Sequence, residues 1–412
     1  MLQTLKGFRD FIGIDARQRA WLIAQFRQVF EANGFEPLET PALEYEELLL
    51  GKYGEEANKL IYGFEDRGGR RIALRYDQTV PTARVISQYR NALTFPYKRY
   101  QIQPVWRADK PQKGRYREFT QCDIDIVGAA GPMADAQILT TVAQFFDQIG
   151  LEYELRVNDR AQLIETITNS KINQDMVFSV IQTIDKLDKK SSDEVIVELR
   201  EKGVTQEQAD LLFLNLKSAT PSAALQSILD TAKSLGVEKS KMVFTPTLAR
   251  GLDYYTGMIF EIILPNYGGG SVGGGGRYDH LINDLVGFDA PAVGMAFGFD
   301  RLIDALTDMN KFPEGLMTDA QVLVTIFSPE QMGYAAQITT KLRKAGVKVD
   351  LYADSTRKLE AQLKYALAKS IPYLIIAGPD EENASVVQLK KLSERSQKTL
   401  TVDEVIEKLK SA

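Results

Sequence analysis

The stretch from Tyr97 to Gly128, YKRYQIQPVWRADKPQKGRYREFTQCDIDIVG, holds the densest set of side chains able to handle a charged ligand. Arg107 ends one strand-like run, Arg115 and Arg117 open the next, and Lys110 and Lys113 stand in the polar loop between them. A guanidinium on a rigid strand suits phosphate oxygens, because its planar fork forms paired, charge-assisted hydrogen bonds. On the return run Gln121, Asp123 and Asp125 occupy alternate positions, which a strand projects from a single face. Polar groups on one face with arginines beside them suit a pocket for a zwitterionic or phosphorylated ligand. The competing reading is a charged hairpin that merely faces solvent.

Three other segments carry chemistry of the same kind. In LARGLDYYTG, Leu248 to Gly257, glycines bracket Tyr254 and Tyr255, and Arg250 precedes a turn able to present its guanidinium. Paired tyrosines there shape either a slot with polar tips or a piece of core. In GGGSVGGGGRYD, Gly268 to Asp279, the glycines allow close backbone approach to a flat ligand, but their spacing fits no phosphate-loop fingerprint and a flexible loop is an equal alternative. In AVGMAFGFDRL, Ala292 to Leu302, Gly294, Ala296 and Gly298 alternate on a strand that leads into a helix bearing Asp300 and Arg301. Small side chains on one strand face leave room for a planar ring and Arg301 could reach a phosphate, or the segment is a close-packed strand–helix joint. A single histidine, His280, and a single cysteine, Cys122, exclude multi-histidine metal sites and thiolate zinc clusters. Catalysis must therefore run on carboxylates, arginines, hydroxyls, amides or a bound ligand.

The elements that must position these groups are legible in outline. Trp21, Leu22, Phe26, Val29 and Phe30 are spaced as one face of a helix over 16–32, which Asn33-Gly34 stops. Phe35 to Leu43 reads as a Pro-containing strand at an edge or interface, followed by a strand at Arg71–Arg75. The runs 96–106 and 118–127 flank a polar loop and predict a long antiparallel hairpin. A helix over 135–149 and a strand over 153–157 come next, then a Lys/Glu-rich, aromatic-poor, periodic stretch over 170–235 that predicts a helical insertion. Strands resume at 242–244 and 258–263, and a helix begins near Tyr278. After a Pro/Gly linker at 312–318, QVLVTIF, VKVDLY and YLIIAG alternate with helices and predict a small parallel-sheet α/β domain.

The 412 residues favour two or three domains over one core. With 44% hydrophobic and 25% charged residues the composition is that of a globular protein. No apolar run approaches the roughly 20 residues of a membrane helix, no signal or transit pattern opens the chain, and the lone cysteine fits a reducing compartment, so the expected location is cytoplasmic. A net charge of −5 argues against bulk coating of nucleic acid. Local basic surfaces remain open, since residues 320–412 carry 14 Lys/Arg against 11 Asp/Glu.

Taken in order, these pieces resemble the class II aminoacyl-tRNA synthetases, and within them the histidyl-tRNA synthetase family. KGFRD (Lys6–Asp10) resembles that family's N-terminal signature, the Gly34, Pro41, Glu44 segment its motif 1, the hairpin its motif 2 and VGMAFGFDRL its motif 3. LRYDQTVP (Leu74–Pro81) and LARGLDYYTG resemble the histidyl branch specifically, and the likeness spans nearly the whole chain. It implies an α+β catalytic domain on an antiparallel sheet in two parts, 1–168 and 237–316, a helical insertion at 169–236 and a C-terminal α/β anticodon-binding domain at 320–412. The reaction implied is activation of L-histidine with ATP and Mg²⁺, then transfer to the 3′ end of tRNA(His), by a homodimer with no membrane attachment. Position by position, Asp77, Gln78 and Thr79 would hold the histidine α-amino group, and Gln121 its amino and carboxylate ends. Asp125, Tyr254, Tyr255 and Tyr278 would surround the imidazole. Arg107 and Arg250 would act catalytically on the α-phosphate and carboxylate, Arg115 and Arg301 would take the outer phosphates, and Lys110 and Gln112 would approach the tRNA acceptor end. No protein-held metal is expected. The alternative is a histidine-binding regulatory paralogue from histidine biosynthesis that charges no tRNA; the full C-terminal domain and the retained Arg107, Arg250 and Arg301 speak against it.

Overall fold

The computed structural model describes residues 2–50, 60–111, 116–251, 254–313, 315–394 and 396–411. The chain divides into two compact units, Met1–Phe11 with Arg19–Lys311, and Ile12–Gln18 with Phe312–Ala412. In the first, the strands are β1 (Glu36–Pro37), β2 (Leu43–Tyr45), β3 (Tyr62–Glu65), β4 (Arg71–Leu74), β5 (Tyr97–Trp106), β6 (Glu118–Val127), β7 (Glu154–Asp159), β8 (Met242–Phe244), β9 (Met258–Ile263), β10 (Gly273–Arg277) and β11 (Ala292–Gly298). Eight of them form one sheet in the order β1-β5-β6-β11-β10-β9-β7-β8, antiparallel except at its two outer pairs. A small three-stranded sheet, β2-β4-β3, holds the motif 1 and LRYDQT segments together.

The alternation read in the hairpin is what orients this sheet. Cys122, Ile124 and Ile126 on β6 are buried on one face, leaving Gln121, Asp123 and Asp125 to the other. On the apolar side an aromatic cluster fills the space under two helices. Phe26 of the helix Gly13–Ala32 stacks on Phe145 of the helix Pro132–Gln148 with centroids 4.1 Å apart, and Phe297 of β11 lies 4.7 Å from Phe26. Such burial stabilises by about 1.5–3 kcal/mol per large side chain, so the cluster fixes which face of the sheet is left for a site.

The glycine-dense run is not the flexible loop left open as an alternative. Gly273–Arg277 is an interior strand, paired on both sides by β9 and β11. A Cβ at Gly275 would come within 2.0 Å of the Gly294 carbonyl oxygen, so bare backbone is what lets the strand lie there. After the helix Arg160–Asn169, the stretch expected as a helical insertion holds helices Val177–Ile184, Ser192–Glu201, Gln206–Ser218 and Ala223–Ser234. Its core starts earlier than the periodic text suggested, at Leu163 and Ile167, and reaches across to Ala249.

The second unit corrects one expectation. Its sheet, β13-β12-β14-β15-β16, comprises β12 (Val322–Val324), β13 (Val349–Leu351), β14 (Tyr373–Ile376), β15 (Val387–Lys391) and β16 (Ser396–Leu400). The first three are parallel as predicted, but β15 and β16 run antiparallel. The link between β14 and β15 contains only the six-residue helix Pro379–Ala384 and turns back at Ser385, φ +54°, where a parallel return would need a longer crossover.

Candidate active site

On the polar face of the large sheet lies a cavity of about 420 Å³. β6 supplies Gln121, Asp123 and Asp125; the LRYDQT segment supplies Tyr76, Asp77 and Thr79; and the LARGLDYYTG loop supplies Arg250, Tyr254 and Tyr255. Arg107 and Tyr278 complete the polar wall, and Gly274, Gly294 and Ala296 are part of the lining. Segments far apart in sequence thus converge on one concave surface.

The floor is glycine for a geometric reason. A Cβ on Gly274 would lie 2.2 Å from Nη1 of Arg250, and one on Gly294 would lie 1.8 Å from Oδ1 of Asp125. Any other residue would displace the two side chains that carry the site's opposite charges.

Arg250 adopts φ +48°, a conformation a non-glycine residue keeps only when its surroundings impose it. The surroundings here are explicit. Arg160, buried at the start of the helix Arg160–Asn169, donates from Nη1 to the carbonyl oxygens of Ala249 (3.1 Å) and Arg250 (3.3 Å). Asn158 donates to those of Pro246 (3.0 Å) and Leu248 (2.8 Å). The Arg250 guanidinium reaches Glu261 at 3.2 Å. Burial disfavours its charge, but Tyr255 and Glu261 more than offset this and hold its pKa above the ordinary value. Arg107 donates from Nε to the Tyr76 carbonyl at 3.0 Å, which ties the end of β5 to the LRYDQT segment.

The acids differ among themselves. Asp125 forms an ion pair with Arg99 Nη2 at 2.6 Å and accepts from the Tyr278 hydroxyl. Burial pushes the Asp125 carboxyl up while Arg99 and Tyr278 pull it back. Asp77 accepts from the backbone N–H of Val80 at 3.2 Å at the start of the helix Thr79–Tyr89, and burial raises its pKa too. Asp123 is only 3% exposed, and no donor reaches its Oδ1. Burial, reinforced by Asp125 and Asp77, pushes its carboxyl well above the usual range despite Arg99 and Arg107.

Of the residues expected in a site, Asp77, Thr79, Arg107, Gln121, Asp125, Arg250, Tyr254, Tyr255 and Tyr278 all line this cavity. Gln78 does not. It is fully buried, and its Nε2 bridges the carbonyls of Gln103 (3.0 Å) and Gln121 (3.1 Å), which links β5 and β6. Arg301 is exposed outside the cavity and donates to the Ser271 carbonyl at 2.8 Å. Lys110 is exposed on the hairpin loop. Gln112 and Arg115 lie outside the described residues.

Reading the sequence missed Arg99, Arg160 and the pair of arginines on Asp300. Arg9 and Arg19 each approach Asp300 Oδ1 at 2.7 Å, and Arg19 also donates to Thr120. Arg99 was within reach of a register argument. With Trp106 opposite Glu118, counting back along the hairpin sets Arg99 against Asp125. Arg160 had no local signal, since its partners lie in a distant loop.

A family model described as histidyl-tRNA synthetase matches residues 7–302, and one described as anticodon binding domain matches residues 321–412. The chain is 37% identical to a histidine–tRNA ligase of Cytophaga hutchinsonii and 36% identical to one of Phocaeicola vulgatus, in each case over 98% of both chains. The crystal structure of histidyl-tRNA synthetase from Nostoc sp. PCC 7120 superposes with a TM-score of 0.89 at 30% identity, covering 100% of this chain and 99% of that one.

Proposed function

Because the chain belongs to the histidyl-tRNA synthetase family, we propose that the cavity on the large sheet is where histidine is activated and specify which side chain meets which part of it. The overall reaction is the family's: histidine and ATP give histidyl-adenylate and pyrophosphate, and histidine then passes to the 3′ end of tRNA. The regulatory-paralogue reading is the less supported one, since the ligase relatives match over nearly the whole chain and residues 321–412 match an anticodon-binding domain.

One observation carries the assignment. A single cavity unites buried acceptors, Asp77, Gln121 and Asp125, with two guanidiniums, Arg107 and Arg250. Acceptors suit the ammonium and ring N–H of histidine, and guanidiniums suit a carboxylate about to attack phosphorus. In this reading Asp77, Thr79 and Gln121 hold the α-ammonium. Asp125 and the tyrosines 254, 255 and 278 frame the imidazole. Arg107 and Arg250 lie along the line of attack. As the carboxylate oxygen bonds to the α-phosphorus and the bond to pyrophosphate breaks, negative charge grows on oxygens that the two arginines already face. Arg250 is held ready by Arg160 and Gly274, so little reorganisation accompanies the step. A hydroxyl of the terminal tRNA ribose then attacks the adenylate carbonyl and AMP departs.

Arg115 and Arg301 are assigned to the outer phosphates, Arg301 exchanging its Ser271 carbonyl for them, and Lys110 and Gln112 to the acceptor end. Gln78 is a brace in this scheme. Mg²⁺ would arrive on the phosphate oxygens of ATP; among the described residues no three metal-ligating side chains gather, and no step is routed through a protein-held ion. We assign 1–168 and 237–316 to catalysis, 169–236 to the insertion and 320–412 to the anticodon arm, in a cytoplasmic homodimer joined through the Pro37–Glu44 region. Exposed Leu43 and Tyr45 support that interface; a sedimentation mass of one 46.1 kDa chain would contradict it.

Pyrophosphate exchange across the twenty amino acids tests the site. The wild type should exchange with histidine alone, and Arg250→Ala should fold and bind histidine yet lose roughly 10²-fold or more in exchange. Near-normal exchange by a folded Arg250→Ala protein would remove Arg250 from the chemistry.

A further inference from the structure

The strand β6 presents three polar side chains to the cavity, and the scheme above uses only the outer two, Gln121 and Asp125. The middle one, Asp123, is the anomaly. It lines the cavity, is almost wholly buried, and its Oδ1 receives no hydrogen bond. A buried carboxyl oxygen without a donor is destabilising by itself, so a fold that retains one in a pocket wall leaves it for something that enters.

The nearby cations are otherwise engaged. Arg99 gives Nη2 to Asp125 at 2.6 Å and Nη1 to Gln101 at 3.2 Å, and the Arg107 Nε is turned to the Tyr76 carbonyl. Gln121, two residues earlier on the same face, likewise has an Oε1 with no donor. Alternate positions on a strand stand roughly 7 Å apart, so a small donor-rich group can sit between them. Asp77 also lines the cavity, and each of Asp77 and Asp125 raises the pKa of Asp123 through its charge. Two acceptor oxygens without donors, Asp123 Oδ1 and Gln121 Oε1, on a wall that also carries Asp77 suit a cation.

We propose that Asp123 is a further substrate-contacting carboxylate of this site, accepting an N–H of the α-ammonium of histidine together with Asp77 and Gln121. The α-ammonium is the better fit than the imidazole. It carries a full charge and three donors, whereas a neutral ring has one N–H and is already assigned Asp125 with Tyr278. Entry of the ammonium also lowers the cost of ionising Asp123, because it adds a positive charge beside a carboxyl that burial, Asp125 and Asp77 disfavour and that Arg99 and Arg107 only partly offset. This inference rests on histidine occupying the cavity.

The test uses the full-length protein and calorimetric titration with L-histidine, with histidinol, which keeps ammonium and ring, and with 3-(imidazol-4-yl)propanoate, which lacks the ammonium. Asp123→Asn should weaken histidine and histidinol by about 10–100-fold and leave the propanoate within about twofold. Thermal melting of the ligand-free variant should show little loss, since Asn keeps the size of the side chain and Oδ1 gives up no hydrogen bond. Equal weakening of all three ligands would make Asp123 a ring contact and overturn the proposal. So would unchanged affinities at Asp123→Asn when Asp125→Asn weakens binding. Affinities unchanged in both variants would instead show that histidine sits elsewhere. Should Asp123→Asn not fold, Asp123→Ala takes its place; loss of the fold in both would show that the carboxylate serves the core, and the proposal would fail.

Discussion

Two buried arginine–aspartate pairs stand on the same large sheet, and they are built to opposite standards. Arg277, at the end of β10, donates from Nε to both oxygens of Asp135 at 3.1 Å and from Nη2 to Oδ2 again. Its remaining donors go to the carbonyls of Ala129 (3.1 Å) and Gly131 (3.3 Å) and to Asp279 at 2.9 Å. Nothing is left over. Arg99 and Asp125 are as deeply buried, yet Arg99 Nε has no hydrogen-bond partner, and neither does Oδ1 of the neighbouring Asp123. A closed pair belongs to the architecture, whereas an open one keeps its unsatisfied valences for a ligand.

The contrast is broken most directly from the closed side. Asp135→Ala leaves Arg277 with the partly exposed Asp279 as its remaining carboxylate beside two backbone carbonyls, and losing one partner of a buried pair costs about 3–5 kcal/mol. The expected result is a large fall in melting temperature with the histidine KM of the remaining folded enzyme changed less than about twofold. The double substitution Asp135→Leu with Arg277→Met should recover much of that stability, because well-packed apolar residues replace a buried pair at little cost. A variant that stays stable but loses histidine affinity would show that Arg277 and Asp135 serve the site after all.

The open side should respond in the other currency of measurement. Asp125→Ala removes a partner of the imidazole, an effect of about 1–3 kcal/mol, or roughly 5–150-fold on the histidine KM, with the ATP KM nearly unchanged. The stability loss should be smaller than at Asp135, because Arg99 still has Asp123 beside it. Equal shifts in both Michaelis constants would take Asp125 out of the histidine pocket, and a stability loss matching that of Asp135→Ala would class the pair as structural.

The two kinds of site were not equally legible in the sequence. Both strands of the Tyr97–Gly128 hairpin, the helix that starts the fold and the strand Ala292–Gly298 follow from alternation and spacing, and with them nine of the expected site residues converge on the cavity. The strand Gly273–Arg277 was hidden because alternation needs side chains, and four of its five residues have none. Gln78 was expected beside Asp77 and Thr79 from the resemblance of LRYDQTVP; that its Nε2 bridges the carbonyls of Gln103 and Gln121 has no local signal in the sequence. The closed pair was invisible, since Asp135 and Arg277 are joined by the fold alone. In the second unit, β15 and β16 carry polar, half-exposed residues that read as surface until paired with each other.

A third cluster sets the lower limit of the comparison, being closed but wet. In the insertion, Glu198 takes Lys186, Lys190 at 2.8 Å and Lys202 at 3.4 Å, all three lysines being substantially exposed. The Lys186 and Lys190 ammonium groups hold its carboxyl at about 2, below the ordinary 4.5. A carboxyl whose pKa is depressed by folding stabilises the fold fully above its unfolded value and loses that contribution as pH falls through the folded one. The window here is pH 4.5 down to about 2. Solvent screening keeps the gain small, about 0.2–1 kcal/mol, in spite of the depressed pKa. Glu198→Gln should therefore lower the melting temperature at pH 7 by no more than roughly 1–3 °C, with the difference from wild type shrinking across that window and in high salt. Histidine binding should be untouched. A penalty at Glu198 as large as that at Asp135, or one that persists at pH 2, would mean that closure matters more than burial, and the distinction between the two buried pairs would need to be drawn on other grounds.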